Sequence, residues 1–198
     1  MTTIYLIRHG QKEVHAGDPG LTKLGINQAT QTGHYLKDHP ITQIIASPFK
    51  RTIETAQHIG KVLNLEYTLD EKLIERMNWE DKNITRNEFL REWIKATNDR
   101  EYIPKYGDSS RATGQRIERL VDDLTKDDSH IILVTHGGAI IDYLRNIFGD
   151  EKLSDLRKKY DEGEDFQMLN CSVNKVVLKD NPILELLNYS DHLESESE

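Results

Sequence analysis

Two histidines, each followed by glycine, stand at the ends of apolar runs: Thr3-Ile4-Tyr5-Leu6-Ile7-Arg8-His9-Gly10 and His130-Ile131-Ile132-Leu133-Val134-Thr135-His136-Gly137-Gly138. Arg8 accompanies the first, and Arg51 follows a third apolar run, Ile41 to Ala46, by a few residues. Guanidinium groups present paired donors that match the oxygens of a tetrahedral dianion. A neutral imidazole nitrogen can attack phosphorus in line while surrounding cations hold the charge on the equatorial oxygens. The leaving group then needs a proton. Glu75, after Leu73-Ile74, is the candidate donor, with Glu13, Glu80 and Asp81 as nearby alternatives. To donate near neutral pH, Glu75 must keep its proton above the ordinary glutamate value of about 4.3. Burial under a lid favours this and neighbouring arginines oppose it.

These side chains converge only if the elements deliver them to one edge. The near-continuous apolar runs predict strands buried on both faces, as in a parallel sheet. Ligands of such sheets bind beyond the carboxyl ends of the strands, where both histidines would then emerge. Between the strands the spacing predicts helices. One runs from Thr22, its cap, to about His39, with Ile26, Ala29, Gly33 and Leu36 on one face. A second starts at Ser47-Pro48, Ser47 as N-cap and Pro48 as first helical residue, and runs to about Leu63. Glu66 to Leu69 reads as a short strand, and Ser109 to about Lys126 as an amphipathic helix. An apolar helix follows His136 to Phe148, Asp150 to Asp165 reads as a charged link, and strands are expected at Cys171 to Leu178 and Ile183 to Leu187. Between Glu75 and Gly107, Trp79, Phe89, Leu90, Trp93 and Ile94 lie among charges, with one helix at about Arg86 to Thr97, a pattern of a lid rather than a sheet unit.

Composition narrows the partners. A net charge of −8 over 198 residues argues against nucleic acid and anionic membranes, and makes a local basic pocket more informative. No apolar run reaches membrane-spanning length, and Met1-Thr2-Thr3 leads straight into the first strand without a signal-peptide pattern. The single cysteine, Cys171, fits a reducing, cytoplasmic setting. A metal site of His9, His15 and His136 finds no supporting His-Glu-x-x-His or paired-cysteine spacing, so no metal is expected. His136-Gly137-Gly138 also matches an esterase oxyanion loop, but the chain has no Gly-x-Ser-x-Gly nucleophile elbow. His34, His39, His58, His130 and His192 read as surface residues.

The ordered set Arg8-His9-Gly10, Leu21-Thr22 with Gly25 and Gln28-Ala29, Ser47-Pro48 with Arg51-Thr52 and Glu54-Thr55-Ala56, Leu73 with Glu75, and His136-Gly137 resembles the histidine phosphatase superfamily, which includes the cofactor-dependent phosphoglycerate mutases. Asn170 with Ser172, and Ser190 with His192-Leu193, resemble its terminal pattern. The resemblance implies a single domain over residues 1–198, an α/β fold of three layers (α/β/α) with a mixed, mostly parallel sheet and a small helical cap inserted at about 75–108. It implies a phosphohistidine at His9, with Arg8, Arg51 and His136 holding the phosphoryl group, Glu75 donating the proton, and no cofactor. Gln11, Lys12 and Gly137 are further candidates for phosphate contact. Many members carry Thr and Asn in the first loop where this chain has Lys12 and His15, so Lys12 is a candidate substitute. The mutases carry an Arg-His-Tyr-Gly run after the acid, whereas Arg76-Met77-Asn78-Trp79 follows Glu75. The expected activity is therefore metal-independent hydrolysis of a small phosphorylated metabolite. A phosphoglycerate mutase and a non-catalytic phosphate-binding module are the alternatives.

Overall fold

A computed structural model describes residues 1–79, 83–125, 128–160 and 167–193. Its centre is β1 (Thr2–Arg8), buried on both faces as its composition requires. Ile4 and Leu6 point into one apolar layer and Tyr5 and Ile7 into the other. Full burial of such a side chain stabilises the fold by about 1.5–3 kcal/mol, so Leu6→Ala, which also leaves a cavity, would cost about 2–5 kcal/mol.

β1 pairs in parallel with β4 (His130–Thr135), in a register that sets Arg8 beside Thr135. β4 pairs in parallel with β2 (Gln43–Ala46), and β2 with β3 (Tyr67–Leu69). On the other side of β1, β5 (Val173–Leu178) is antiparallel, and β6 (Ile183–Tyr189) is antiparallel to β5. The order is β3-β2-β4-β1-β5-β6, a mixed sheet in which β5 alone runs against the rest. Helices α1 (Lys23–Leu36) and α2 (Lys50–Leu63) cover one face, contributing Leu36, Ala56 and Ile59 to its core. After α3 (Arg86–Asn98), helices α4 (Ser110–Leu124), α5 (Gly137–Phe148) and α6 (Asp150–Tyr160) cover the other. The expected three-layer α/β fold is the one observed.

Local chemistry explains most boundaries. Thr22 caps α1 by accepting from the Gly25 N–H at 3.0 Å, and Ser109 caps α4 by accepting from Ala112 at 3.1 Å. α1 stops at Leu36 rather than near His39, with Lys37 at its C-cap, three residues ahead of Pro40, which disfavours helical backbone in the residue before it. Its buried face is Gly25, Ala29, Thr32, Gly33 and Leu36, while Ile26 is exposed.

Two further expectations fail. Ser47 is not a helix cap and Pro48 is not in a helix: α2 begins at Lys50, with Phe49 at its N-cap position. The capping acceptor comes from a distant residue instead, both oxygens of Asp18 receiving the Lys50 N–H at 3.0 Å. The charged segment after Asp150 is not a plain link; its first part is α6, anchored by Leu153 in the core. Residues 161–165 of the expected link lie outside the described residues, as do Phe166, Glu80, Asp81, Lys126 and the acidic tail at 194–198.

The segment between the short 3-10 turn Glu71–Leu73 and α4 leaves the sheet and returns. Its two ends are joined by a bridge between Met77 and Gly107 and by Asp108 N–H donating to the Arg76 carbonyl at 2.9 Å. Gly107 has φ +149°, and a Cβ there would lie 2.1 Å from the Arg76 carbonyl oxygen, so the approach needs glycine. Within it, Thr85 and Glu88 form a capping box that starts α3. Leu90 and Ile94, which the sequence pattern groups with the lid aromatics, are exposed on α3. Among the described residues no helix is long and apolar enough to cross a membrane.

Candidate active site

Because β1 and β4 are parallel neighbours in register, the residues after Arg8 and Thr135 leave the sheet side by side. His9 N–H donates to the Thr135 carbonyl at 3.0 Å, and the His9 and His136 rings meet edge to face with centroids 5.4 Å apart. Gly10 turns the chain under the first turn of α1. A Cβ there would lie 2.5 Å from the Gly25 carbonyl oxygen, so only glycine allows the loop to pack this closely.

The tautomer of His9 follows from its partner. Nδ1 lies 2.8 Å from the Gly10 carbonyl oxygen, which can only accept; Nδ1 therefore carries the proton and Nε2 keeps its lone pair. Burial, then Arg51 and Arg8, hold the imidazole pKa well below 6.5, so His9 is neutral at neutral pH. His136 is likewise held neutral, by burial and then by Arg51, His9 and Arg8. Its Nε2 lies 2.9 Å from the Ser47 hydroxyl, and its Nδ1 is buried with no hydrogen-bond partner among the described residues.

Arg8 donates through Nη1 to the Met168 carbonyl, and its Nε is buried without a hydrogen-bond partner among the described residues. Arg51 is 3% exposed and stacks over Phe49 with its guanidinium carbon 4.7 Å from the ring centroid. It donates through Nη2 to Asn78 Oδ1 at 3.2 Å and faces Asp18 at 3.7 Å. Lys12 shares the same positive field: burial, then Arg51 and Arg8, lower its ammonium pKa, and its Nζ donates to the Glu13 carbonyl at 3.4 Å. Gly137 opens α5 beside Arg8, whose Nε would lie 3.5 Å from a Cβ placed there.

Glu75 reaches the same point from the base of the cap. Its Oε2 accepts from the Gly138 N–H at 3.1 Å and its Oε1 from the Arg76 N–H at 2.8 Å. Burial lowers the Arg8 guanidinium pKa, and Glu75, when ionised, opposes that shift. A Cβ at Gly138 would lie 2.6 Å from the Trp93 ring and 2.7 Å from Glu75 Oε1, so a side chain there would displace one or both.

The structure thus brings Arg8, His9, Lys12, Arg51, Glu75, His136 and Gly137 together. Gln11 turns away: its carboxamide oxygen accepts from the Thr22 hydroxyl at 2.8 Å at the start of α1. His15 is exposed, with Nδ1 near its neighbour's carbonyl, apart from His9 and His136. Among the described residues no group of three His, Cys, Asp or Glu side chains is arranged to hold a metal ion. Three contributors escaped the sequence reading as site residues. Asp18 and Asn78 hold Arg51, and Ser47 holds His136. Ser47 did stand next to the right segment but read as a cap; Asp18 and Asn78 gave no local signal beyond turn-forming type.

A neutral imidazole with a lone pair, flanked by guanidinium groups and a second imidazole, can accept a phosphoryl group; a carboxyl beside it can supply and recover a proton. The chain is 26% identical over 200 residues to a protein of Proteus mirabilis named probable phosphoglycerate mutase GpmB, covering 93% of this chain and 88% of that one. The protein of the same name from Photorhabdus laumondii is 28% identical over the same coverage. Among solved structures, phosphoserine phosphatase of Entamoeba histolytica in complex with 3-phosphoglyceric acid superposes with TM-score 0.76 at 26% identity, covering 98% of this chain and 100% of that one. A mycobacterial glucosyl-3-phosphoglycerate phosphatase bound to inorganic phosphate shares the fold, with TM-score 0.76 at 21% identity and coverage of 97% and 99%. The sequence profile of the histidine phosphatase superfamily (branch 1) matches residues 4–190, nearly the whole described chain, and the protein belongs to that superfamily.

Proposed function

We propose that the protein is a phosphomonoester hydrolase that works through a phosphohistidine at His9 and takes a small phosphorylated metabolite. The observation that carries this reading is the His9 tautomer: Nδ1 is tied to the Gly10 carbonyl, leaving Nε2 as a nucleophile beside Arg8 and Arg51. Nε2 attacks phosphorus, forming a P–N bond as the ester P–O bond breaks, and the departing oxygen takes the proton of the Glu75 carboxyl. Water then attacks the phosphohistidine and gives its proton to Glu75. The P–N bond breaks, and phosphate leaves with Nε2 restored. Arg8, Arg51, Lys12 and the Nδ1 of His136 carry the charge of the transferring group.

The relatives' names favour a second reading, a phosphoglycerate mutase. Against it, the arginine that follows Glu75 is turned into the protein interior, 3% exposed, and so is not free to receive a second substrate anion. The resemblance to an Entamoeba phosphoserine phosphatase supports hydrolysis. A pure binding module has no use for a carboxyl held by two backbone amides beside the cage.

The test is turnover of p-nitrophenyl phosphate by the protein and by His9→Ala. Loss of at least about a thousandfold is expected when a covalent nucleophile is removed, together with inhibition by vanadate and indifference to EDTA. Unchanged turnover in His9→Ala would refute the mechanism. Phosphoryl transfer between phosphoglycerates faster than phosphate release would establish the mutase instead.

A further inference from the structure

The cap holds a buried ion pair that this chemistry does not consume. Arg76, next to Glu75, is 3% exposed; Asp142, one helical turn after Gly138 on α5, is fully buried. Arg76 Nη1 donates to Asp142 Oδ1 at 3.2 Å, and the Ser110 hydroxyl donates to the same oxygen at 2.6 Å. The guanidinium also donates to Thr97 Oγ1 at 2.8 Å and to the Ala96 carbonyl at 3.4 Å, and stacks on Trp93 with its carbon 4.3 Å from the ring centroid. The Arg76 side chain therefore ties the base of the cap to α3 and α5, and Asp142 in turn ties α5 to α4.

Residues 75 and 76 together span the first two turns of α5. The Glu75 carboxyl receives the Gly138 N–H, and the Arg76 side chain reaches Asp142 four residues on. The Arg76 N–H, meanwhile, holds the second Glu75 oxygen. A buried ion pair gains little stability over an apolar substitute of similar volume, because desolvation offsets the attraction. Burial indeed pushes the Asp142 carboxyl up to about 7, against the pull of Arg76 and Ser110. A pair with little net stability fixes one geometry through its direction and donor count.

We propose that Arg76 and Asp142 are positioning residues: through their buried pair they hold the Glu75 carboxyl at the N-terminus of α5, where it serves the leaving group. The proposal rests on the reading of Glu75 as proton donor. It concerns the arginine that follows the acid in this chain and a partner on α5 that nothing in the catalytic cage requires.

The experiment compares wild type, Arg76→Met and the double variant Arg76→Met/Asp142→Leu, which replaces the pair by apolar groups and guards against simple unfolding. Each is assayed by kcat/KM on p-nitrophenyl phosphate, whose phenolate leaves with little help, and on β-glycerol phosphate, whose alkoxide needs a proton. Thermal midpoints and hydrogen exchange of the Gly138 amide are measured alongside. The expected result is a loss of about a hundredfold on the alkyl ester and at most a few-fold on the aryl ester in both variants. Gly138 amide protection falls in both, while the double variant recovers the thermal midpoint. Equal losses on the two esters, or restored alkyl-ester turnover in the double variant, would overturn it. So would a Gly138 amide exchanging as in wild type. The amide readout needs no turnover, so failure of the phosphatase reading is seen separately, as a His9→Ala variant that keeps its activity.

Discussion

The Ser47 hydroxyl sits 2.9 Å from Nε2 of His136, and both residues are completely buried. A hydroxyl can donate or accept, so its orientation sets which imidazole nitrogen carries the proton. With Ser47 donating to Nε2, Nδ1 bears the hydrogen and can donate to a phosphoryl oxygen. Ser47→Ala should therefore lower kcat/KM on p-nitrophenyl phosphate about tenfold, the loss expected for one missing hydrogen bond of about 1–1.5 kcal/mol. The fold should be retained, because Ser47 caps no helix. Nitrogen-15 shifts of His136 would report the tautomer, and a wild-type rate in the variant would contradict the assignment.

Both site histidines should titrate low. In the free protein, burial and the Arg51 and Arg8 guanidinium groups favour the neutral ring. Proton NMR of the ring hydrogens should place both midpoints below 6.5, and His9 should stay nucleophilic in mildly acidic buffer. Arg51→Met removes one of the charges that lower both values, so both midpoints should rise in it. A His9 midpoint at or above 6.5 in wild type would remove the electrostatic basis of the cage.

Lys12 follows His9 by three residues in the first loop. Its ammonium lies in the field of Arg51 and Arg8, which it can tolerate best when an anion occupies the cage. Lys12→Met should weaken competitive inhibition by inorganic phosphate about tenfold, roughly the value of one charge-assisted hydrogen bond, with a smaller change in kcat. Inhibition constants equal in the two proteins would place Lys12 outside the phosphate contacts.

The end of the described chain is pinned through His192. Its Nε2 lies 2.9 Å from Thr32 Oγ1, and its ring stacks against Tyr35 and Tyr189 at 4.8 and 5.6 Å. Burial lowers its pKa to about 4, whereas the unfolded chain titrates at about 6.5. Between those values the unfolded state binds the extra proton, so the stabilisation is complete above pH 6.5 and is lost as pH falls towards 4. Partial exposure reduces its size. The thermal midpoint should drop over that range, and His192→Gln should flatten part of the slope that His9 and His136 also create. An identical slope in the variant would show that His192 is not a contributor.

The amino-acid sequence by itself determined the strands and their polarity. The apolar runs ending in Arg8-His9 and Thr135-His136 can be satisfied only by burial on both faces, and Thr22 and Ser109 announce their helices through local capping. Those signals are short-range, and so are legible in order along the chain. The expectation that Arg8, His9, Arg51 and His136 gather at one edge of the sheet also came from local signals, because strand ends and the first turn of a helix leave few directions for a side chain. Tertiary structure alone decided the rest. That β4 lies beside β1, in a register that sets His9 against His136, depends on pairing between segments far apart in sequence. The same holds for Asp18 capping α2 in place of Ser47, which releases Ser47 to bond His136, and for Arg76 turning from its neighbour Glu75 to Asp142. Each of these is a polar group choosing among several partners of equal chemistry. Only the packed interior, where an unpaired donor or acceptor costs about 1–3 kcal/mol, determines which partner it meets.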